Sequence, residues 1–179
     1  MLRTRSLLRA ALLAECARRP LAEVSVADLV RRAGIGRTTF YLHYADLDAL
    51  AVDSCAGMVD EAVEALHAWD PLPDPVRPPV ELTGLLGRIA ANAELYRSLL
   101  MPGGGGPLGT VLHRQLRQRA ISERRRRGLG TAADEVVASA VAASFAAVLA
   151  DWLHERISAT PDQLAGRLWP LLVALHRAG

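Results

Sequence analysis

Lysine is absent from this 179-residue chain, so all 21 of its basic side chains are arginines. Guanidinium groups are suited to bidentate contacts with phosphate and carboxylate oxygens. Their distribution is uneven, because residues 1–50 carry eight arginines and five acidic residues whereas the rest of the chain carries thirteen and fourteen. The positive charge is therefore concentrated at the N-terminal end.

Cysteine is also scarce. Cys16 and Cys55 each lie inside a helical pattern, with no C-x-x-C pair and no histidine at zinc-ligand spacing. This excludes a disulfide framework or a zinc site of the usual kind. We expect two buried, reduced thiols in a cytoplasmic protein that holds no metal and no cofactor.

Long apolar runs are missing as well, since no stretch reaches the roughly 18 uninterrupted apolar residues of a membrane span. The basic and apolar N-terminus is not typical of a signal peptide either. Arg9 interrupts its apolar run, Glu15 follows, and the pattern continues as an amphipathic helix. We therefore expect a soluble protein without a membrane partner.

Motifs of catalysis are lacking too. The five histidines are scattered along the chain, and neither a G-x-S-x-G motif nor a phosphate-binding glycine loop is present. The "PGGGGP" segment at 102–107 has no Lys-Ser/Thr after it and is interpreted as a flexible connection. These absences predict that the protein is not an enzyme.

Helical periodicity is present in nearly every segment, which predicts an all-α protein of about nine helices. Ser25 and Asp28 have the spacing of a capping box, and Gly34 ends the helix that they begin. A short helix follows at 37–44, and Asp46 is expected to cap a long fourth helix that starts at Leu47. The last helix is expected to start after Thr160.

Residues 25–44 have the pattern of a helix-turn-helix unit, in which the second helix enters the major groove of DNA. Phe40 and Tyr44 are four residues apart and are expected to pack inward. The outward side chains include none that is aliphatic, and each can donate a hydrogen bond to phosphates or base edges. They are Arg37, Thr38 and Tyr41, flanked by Thr39 and His43, with Ser25 at the start of the preceding helix.

The segment 22–53, "AEVSVADLVRRAGIGRTTFYLHYADLDALAVD", resembles the DNA-binding region of the TetR family of bacterial repressors. The resemblance lies in the Ser cap, the A-G-apolar turn and the T-x-Y-x-H-aromatic pattern. It implies a three-helix DNA-binding domain at 1–46, a C-terminal ligand-binding and dimerisation domain at 47–179, and a double-stranded operator as partner. By position it implies DNA contacts from Ser25, Arg37, Thr38, Thr39, Tyr41 and His43.

One position departs from the family pattern. The family usually has a phosphate-binding lysine at the start of the fourth helix, where this chain has Leu47. The loss of one phosphate contact should weaken DNA affinity and reduce its salt dependence. Arg3 and Arg5 are candidates to compensate from the N-terminal arm.

The C-terminal part is similar to one subgroup of the family, with L-Y-R-x-L-L before a glycine-rich break and a W-L ending. Some regulators of this kind act through protein partners. The resemblance implies a symmetric homodimer formed by the last two helices, which would let two short reading helices address two half-sites of a palindrome. The residues assigned to that interface are Val141, Phe145, Val148, Leu149, Trp152, Leu164, Leu168, Leu171, Leu172 and Leu175.

The family pattern also places an effector cavity inside the C-terminal bundle, near Tyr96, His113 and Trp152. The resulting hypothesis is a repressor that binds its operator as a homodimer and is released by an unknown small molecule or protein partner. The alternative is a TetR-like coactivator or adaptor that grips another protein and binds DNA weakly.

Overall fold

The structure is a computed structural model that describes residues 2–67, 74–126 and 132–177, and every regular element within these ranges is helical. The all-α prediction is confirmed. Two short 3₁₀ turns lie at Leu21–Glu23 and Pro102–Gly104. The α-helices are α1 (Leu2–Cys16), α2 (Val26–Ala33), α3 (Arg37–Tyr41), α4 (Leu47–Ser54), α5 (Ala56–His67), α6 (Val80–Ala91), α7 (Ala93–Leu99), α8 (Gly106–Arg126), α9 (Ala132–Leu153) and α10 (Pro161–Arg177).

The helix ends follow the local signals in the sequence. Ser25 and Asp28 form the predicted capping box at α2, and Gly34 ends this helix in the left-handed conformation (φ 68°). The Asp46 carboxylate accepts the Ala49 amide at 2.7 Å and caps α4. Thr160 accepts the Gln163 amide at 3.3 Å at the start of α10. Each cap satisfies backbone groups that have no partner inside the helix.

The expected long fourth helix is divided, and the described ranges contain ten α-helices where about nine were expected. The predicted fourth helix breaks at Cys55, directly after Ser54 donates its hydroxyl to the Leu50 carbonyl at 2.8 Å. A second break lies between α6 and α7 at Asn92, whose side-chain amide donates to the Arg88 carbonyl at 3.1 Å. Both side chains compete with the backbone for a carbonyl four residues earlier, which favours a bend.

A continuous hydrophobic core connects the N-terminal helices to the C-terminal bundle. Helix α4 packs against α1 on one side and α8 on the other, while α9 lies between α8 and α10. The buried Arg124 guanidinium pairs with Asp134 and donates to the His176 carbonyl at 3.1 Å. This ion pair therefore links the end of α8 to α9 and to the end of α10.

The glycine-rich segment is a packed turn, so its interpretation as a flexible connection is wrong. Gly104 has φ 81°, and a Cβ there would lie 2.8 Å from the Ala147 backbone nitrogen on α9. The Met101 amide closes the turn by donating to the Gly105 carbonyl at 3.0 Å. Close approach of two backbones, rather than flexibility, explains why position 104 carries no side chain.

Candidate nucleic-acid interface

The exposed side of α3 forms one stripe. Thr38, Tyr41 and Leu42 are all exposed, and Tyr41 and Leu42 follow Thr38 by three and four residues, the spacing that places side chains on one face of a helix. Arg37 is exposed beside them, whereas Thr39 and His43 are half-buried on the flank. We call Arg37, Thr38, Tyr41 and Leu42 the reading face. It presents a guanidinium and two hydroxyls to the outside.

The opposite side of α3 is docked into the core. Phe40 is fully buried and Tyr44 is nearly so, as their spacing predicts. The Phe40 ring makes an edge contact with Tyr41, with centroids 5.2 Å apart. This contact fixes the orientation of a ring that is 52% exposed on the reading face. The buried Phe40 ring thus orients the exposed Tyr41 ring.

The Tyr44 hydroxyl anchors the segment that follows α3, the helix that carries the reading face. That hydroxyl donates to the Asp53 carboxylate on α4 at 2.5 Å, and burial together with this bond raises the pKa of Tyr44 to about 12. The Arg5 guanidinium lies 5.5 Å from the centre of the Tyr44 ring, a cation–π distance. Arg5, on α1, is therefore held close to the end of the reading helix.

Ser25 is exposed at the start of α2, and its neighbours form an ionic network. Its hydroxyl donates to Asp28 at 2.7 Å, and Arg19 pairs with the same carboxylate at 2.9 Å. Arg19 also contacts Glu15 at 2.9 Å, while Arg32 contacts Glu15 at 2.6 Å. The network attaches the start of α2 to the end of α1, and so fixes the position of Ser25.

The network makes fold stability sensitive to acid. Hydrogen bonds from Ser25 and Arg19 lower the pKa of Asp28 from 3.8 to about 2, and bonds from Arg32 and Arg19 lower the pKa of Glu15. Carboxyls with lowered pKa stabilise the fold fully above their unfolded pKa, and lose that contribution as the pH falls through the folded value. We expect Asp28→Asn to lower the melting temperature at pH 7, and this deficit to shrink between about pH 4 and pH 2.

The matched control for this experiment is Asp60→Asn, which removes an exposed carboxylate on α5. Its melting temperature should follow that of the wild-type chain at every pH. A deficit of Asp28→Asn that stays constant from pH 7 to pH 2 would contradict the ionic explanation.

Leu42 corrects one prediction about the reading face. The outward residues were expected to include no aliphatic side chain, yet Leu42 is 77% exposed and belongs to the stripe. Its amide donates to the Thr38 carbonyl at 3.1 Å, so it lies one helical turn beyond Thr38 on the same side. The signal was available in the sequence, because Leu42 is four residues after Thr38.

Leu47 is half-buried and packs against the hydrophobic core. The start of α4 therefore has an apolar side chain turned toward the protein at the position where the family pattern has a lysine. The exposed residues beside it, Asp46 and Asp48, are acidic. Position 47 therefore offers no cationic side chain for a contact with a DNA phosphate.

The residues predicted for a dimer interface divide into two groups. Leu171 is 60% exposed, and Val148, Trp152 and Leu175 are half-buried. The other six side chains are at most 5% exposed inside the protomer and form its core, so their assignment to an interface is revised. They are Val141, Phe145, Leu149, Leu164, Leu168 and Leu172.

The three residues predicted near an effector lie in three different environments. Tyr96 is half-buried on α7, where burial raises its pKa to about 12. His113 lines an open groove between α8 and α9, beside Arg117 and Glu135. The Trp152 indole donates to the Ala159 carbonyl at 2.8 Å and attaches the end of α9 to the segment before α10.

Comparison with known proteins agrees with this geometry. The family model described as "Bacterial regulatory proteins, tetR family" matches residues 7–53, which span the helix-turn-helix and the helices on both sides of it. The N-terminal region is a TetR-family domain. A search of curated proteins finds no match.

Solved structures show that the likeness extends over the whole chain. A TetR transcriptional regulator from Rhodococcus sp. RHA1 is 17% identical, with a TM-score of 0.63 and coverage of 99% of this chain and 97% of that one. The TetR family repressor AlkX from Dietzia sp. strain DQ12-45-1b is 17% identical, with a TM-score of 0.63 and coverage of 97% and 95%. The dihydroxyacetone kinase operon activator DhaS is 15% identical, with a TM-score of 0.60 and coverage of 98% and 97%. The part of the chain that the structure describes has the TetR fold.

Proposed function

We propose that this TetR-family chain is a cytoplasmic transcriptional regulator that binds a palindromic operator as a homodimer and acts as a repressor. The observation that supports this best is the reading face, a short exposed stripe held outward by the buried Phe40 and Tyr44. Arg37, Thr38 and Tyr41 supply donors for base edges and phosphates. Thr39 and His43 stand on its flank.

Ser25 completes the proposed contact with the DNA backbone. It is exposed at the N-terminus of α2, and the backbone amides of the first helical turn lie beside it. Helix N-termini favour phosphate because these amides and the helix dipole point toward it. The ionic network behind Ser25 would hold this phosphate site in register with the reading face.

Dimerisation is supported by apolar surface that the protomer leaves uncovered. An 18-residue window within Asp134–Leu153 of α9 has a mean hydropathy of 1.9, yet only 44% of that window is buried inside the protomer. On α10, Leu171 and Ala174 are exposed and Leu175 is half-buried. A two-fold interface built from α9 and α10 would cover both surfaces and place one reading face in each half-site.

Release by an effector, either a small molecule or a protein partner, is part of the proposal. Such a ligand acts by preferring the conformation in which the two reading helices are wrongly spaced. A cleft of about 320 Å³ separates the end of α1 from the corner of α6 and α7, with Leu13, Cys16 and Leu95 among its walls. A molecule bound in this cleft would contact both the DNA-binding domain and the C-terminal domain.

The decisive experiment starts with selection of bound duplexes from a random pool, followed by fluorescence anisotropy over a salt series. We expect a palindromic site, tight binding at low salt and a steep fall in affinity as salt rises. Reference duplexes with scrambled half-sites should bind far more weakly. Equal binding to every duplex, or no binding at low salt, would contradict the proposal.

Leu47→Lys is expected to strengthen operator binding, because it restores a cation beside the proposed phosphate path. The slope of log affinity against log salt should become steeper by about 0.9 for each protomer, or about 1.8 for a dimer. Anisotropy at four or more salt concentrations measures this slope. Leu47→Gln, which is polar and neutral, is the control and should leave the slope unchanged.

The coactivator or adaptor remains a second candidate, favoured by the apolar side chain at position 47. One structural neighbour is named as an operon activator, so the fold itself accommodates that role in another protein. An adaptor of this kind should show no DNA binding at low salt, with Leu47→Lys failing to create any. The anisotropy series therefore separates the two functions.

A further inference from the structure

Leu42 is the largest apolar side chain on the reading face, and it is left uncovered. It is 77% exposed, more than the neighbouring Tyr41 at 52%. It follows Thr38 by one helical turn, so it stands at the C-terminal end of the stripe. The neighbouring polar side chains can form hydrogen bonds with phosphates and base edges, whereas the isobutyl group of Leu42 can form none.

The major groove of DNA offers one apolar group, the C5-methyl of thymine. The other edges that bases present there are hydrogen-bond donors and acceptors. Leu42 places an apolar group beside the polar side chains of Thr38 and Tyr41 on the reading face. A surface of this mixed kind matches a groove that presents methyl groups beside polar edges.

We propose that Leu42 contacts a thymine C5-methyl group in each half-site, and so sets the base preference at that position. This inference rests on the proposed function, because it needs the reading face to enter the groove. It adds a specificity-determining residue to the donors already assigned. In this proposal the polar side chains position the helix, and Leu42 reads one base pair.

Uracil lacks only the C5-methyl group of thymine, which makes a sharp test available. In the selected operator, each thymine is replaced in turn by deoxyuridine, at the same position of both half-sites. For the wild-type chain, the replacement at one of these positions should weaken operator binding about 15-fold. This corresponds to about fourfold per half-site, since a buried methyl group is worth about 0.8 kcal/mol and 1.4 kcal/mol is tenfold.

Leu42→Ala should remove this discrimination. The variant is expected to bind the thymine operator more weakly than the wild-type chain, and to bind the thymine and uracil operators equally well. Leu42→Met keeps an apolar side chain of similar size and should retain most of the preference. Val76→Ala, which shortens an equally exposed side chain (78%) before α6, should behave as wild type.

The outcomes distinguish the role of Leu42 from the proposed function of the protein. A methyl effect that is the same in wild type and Leu42→Ala, or absent at every thymine, overturns the role of Leu42 and leaves the proposed function standing. A wild-type chain that binds no duplex overturns both. Circular dichroism of each variant confirms the fold, which an exposed side chain at the end of α3 should not disturb.

Discussion

Leu171→Glu is expected to give a folded monomer that binds operator DNA roughly 10²–10⁴-fold more weakly than the wild-type chain. Leu171 is 60% exposed on α10 and belongs to the apolar surface that we propose for the dimer interface. In a two-fold interface the substitution appears twice, so two carboxylates must be buried without partners. Each protomer then binds one half-site alone and loses the gain from simultaneous binding.

Three measurements check this expectation together: light scattering for mass, anisotropy for operator affinity, and far-ultraviolet circular dichroism for helix content. Val76→Glu is the matched control, because it adds the same charge at another exposed aliphatic side chain. It should remain a dimer and keep its affinity, apart from a small effect of net charge. A dimeric Leu171→Glu with wild-type affinity would show that α10 does not form the interface.

The helix-turn-helix could be predicted from the sequence because its signals are local. The Ser25 cap, the Gly34 stop and the Asp46 cap each depend on hydrogen bonds within three or four residues. The inward position of Phe40 and Tyr44 follows from helical spacing alone. Neighbouring residues carry this information, so reasoning over short windows is enough.

Features of the C-terminal bundle could not be predicted because they depend on which helices meet. An apolar stripe such as Phe145, Leu149 and Leu168 looks the same whether it packs inside the protomer or against a second copy. The structure places these side chains in the core. Similarly, Arg124 stands in a run of four arginines typical of a solvated helix end, yet it is buried against Asp134. Pairing across helices leaves no signature in local spacing.

The glycine-rich turn is the clearest case, and it carries the largest expected effect on stability. Gly109, in the first turns of α8, lies against the turn itself, since a Cβ on it would be 2.0 Å from the Gly104 carbonyl oxygen and 2.8 Å from its carbon. Both are backbone atoms, and Gly104 in turn rests on the α9 backbone at Ala146 and Ala147. Helix α8 therefore cannot shift toward the turn, and the turn cannot retreat.

Gly109→Ala is expected to destabilise the fold by roughly 3 kcal/mol, the upper end of the usual cost of overpacking. For a chain of this size, a melting temperature lower by roughly 6–12 °C corresponds to that loss. Thermal and denaturant unfolding measure both values.

The control is Gly87→Ala in the interior of α6, where a Cβ meets nothing within 4 Å. It removes the helix-propensity penalty of glycine and should stabilise the fold by up to about 1 kcal/mol. Equal melting temperatures for the two variants would mean that the turn yields, and that the glycines serve flexibility after all.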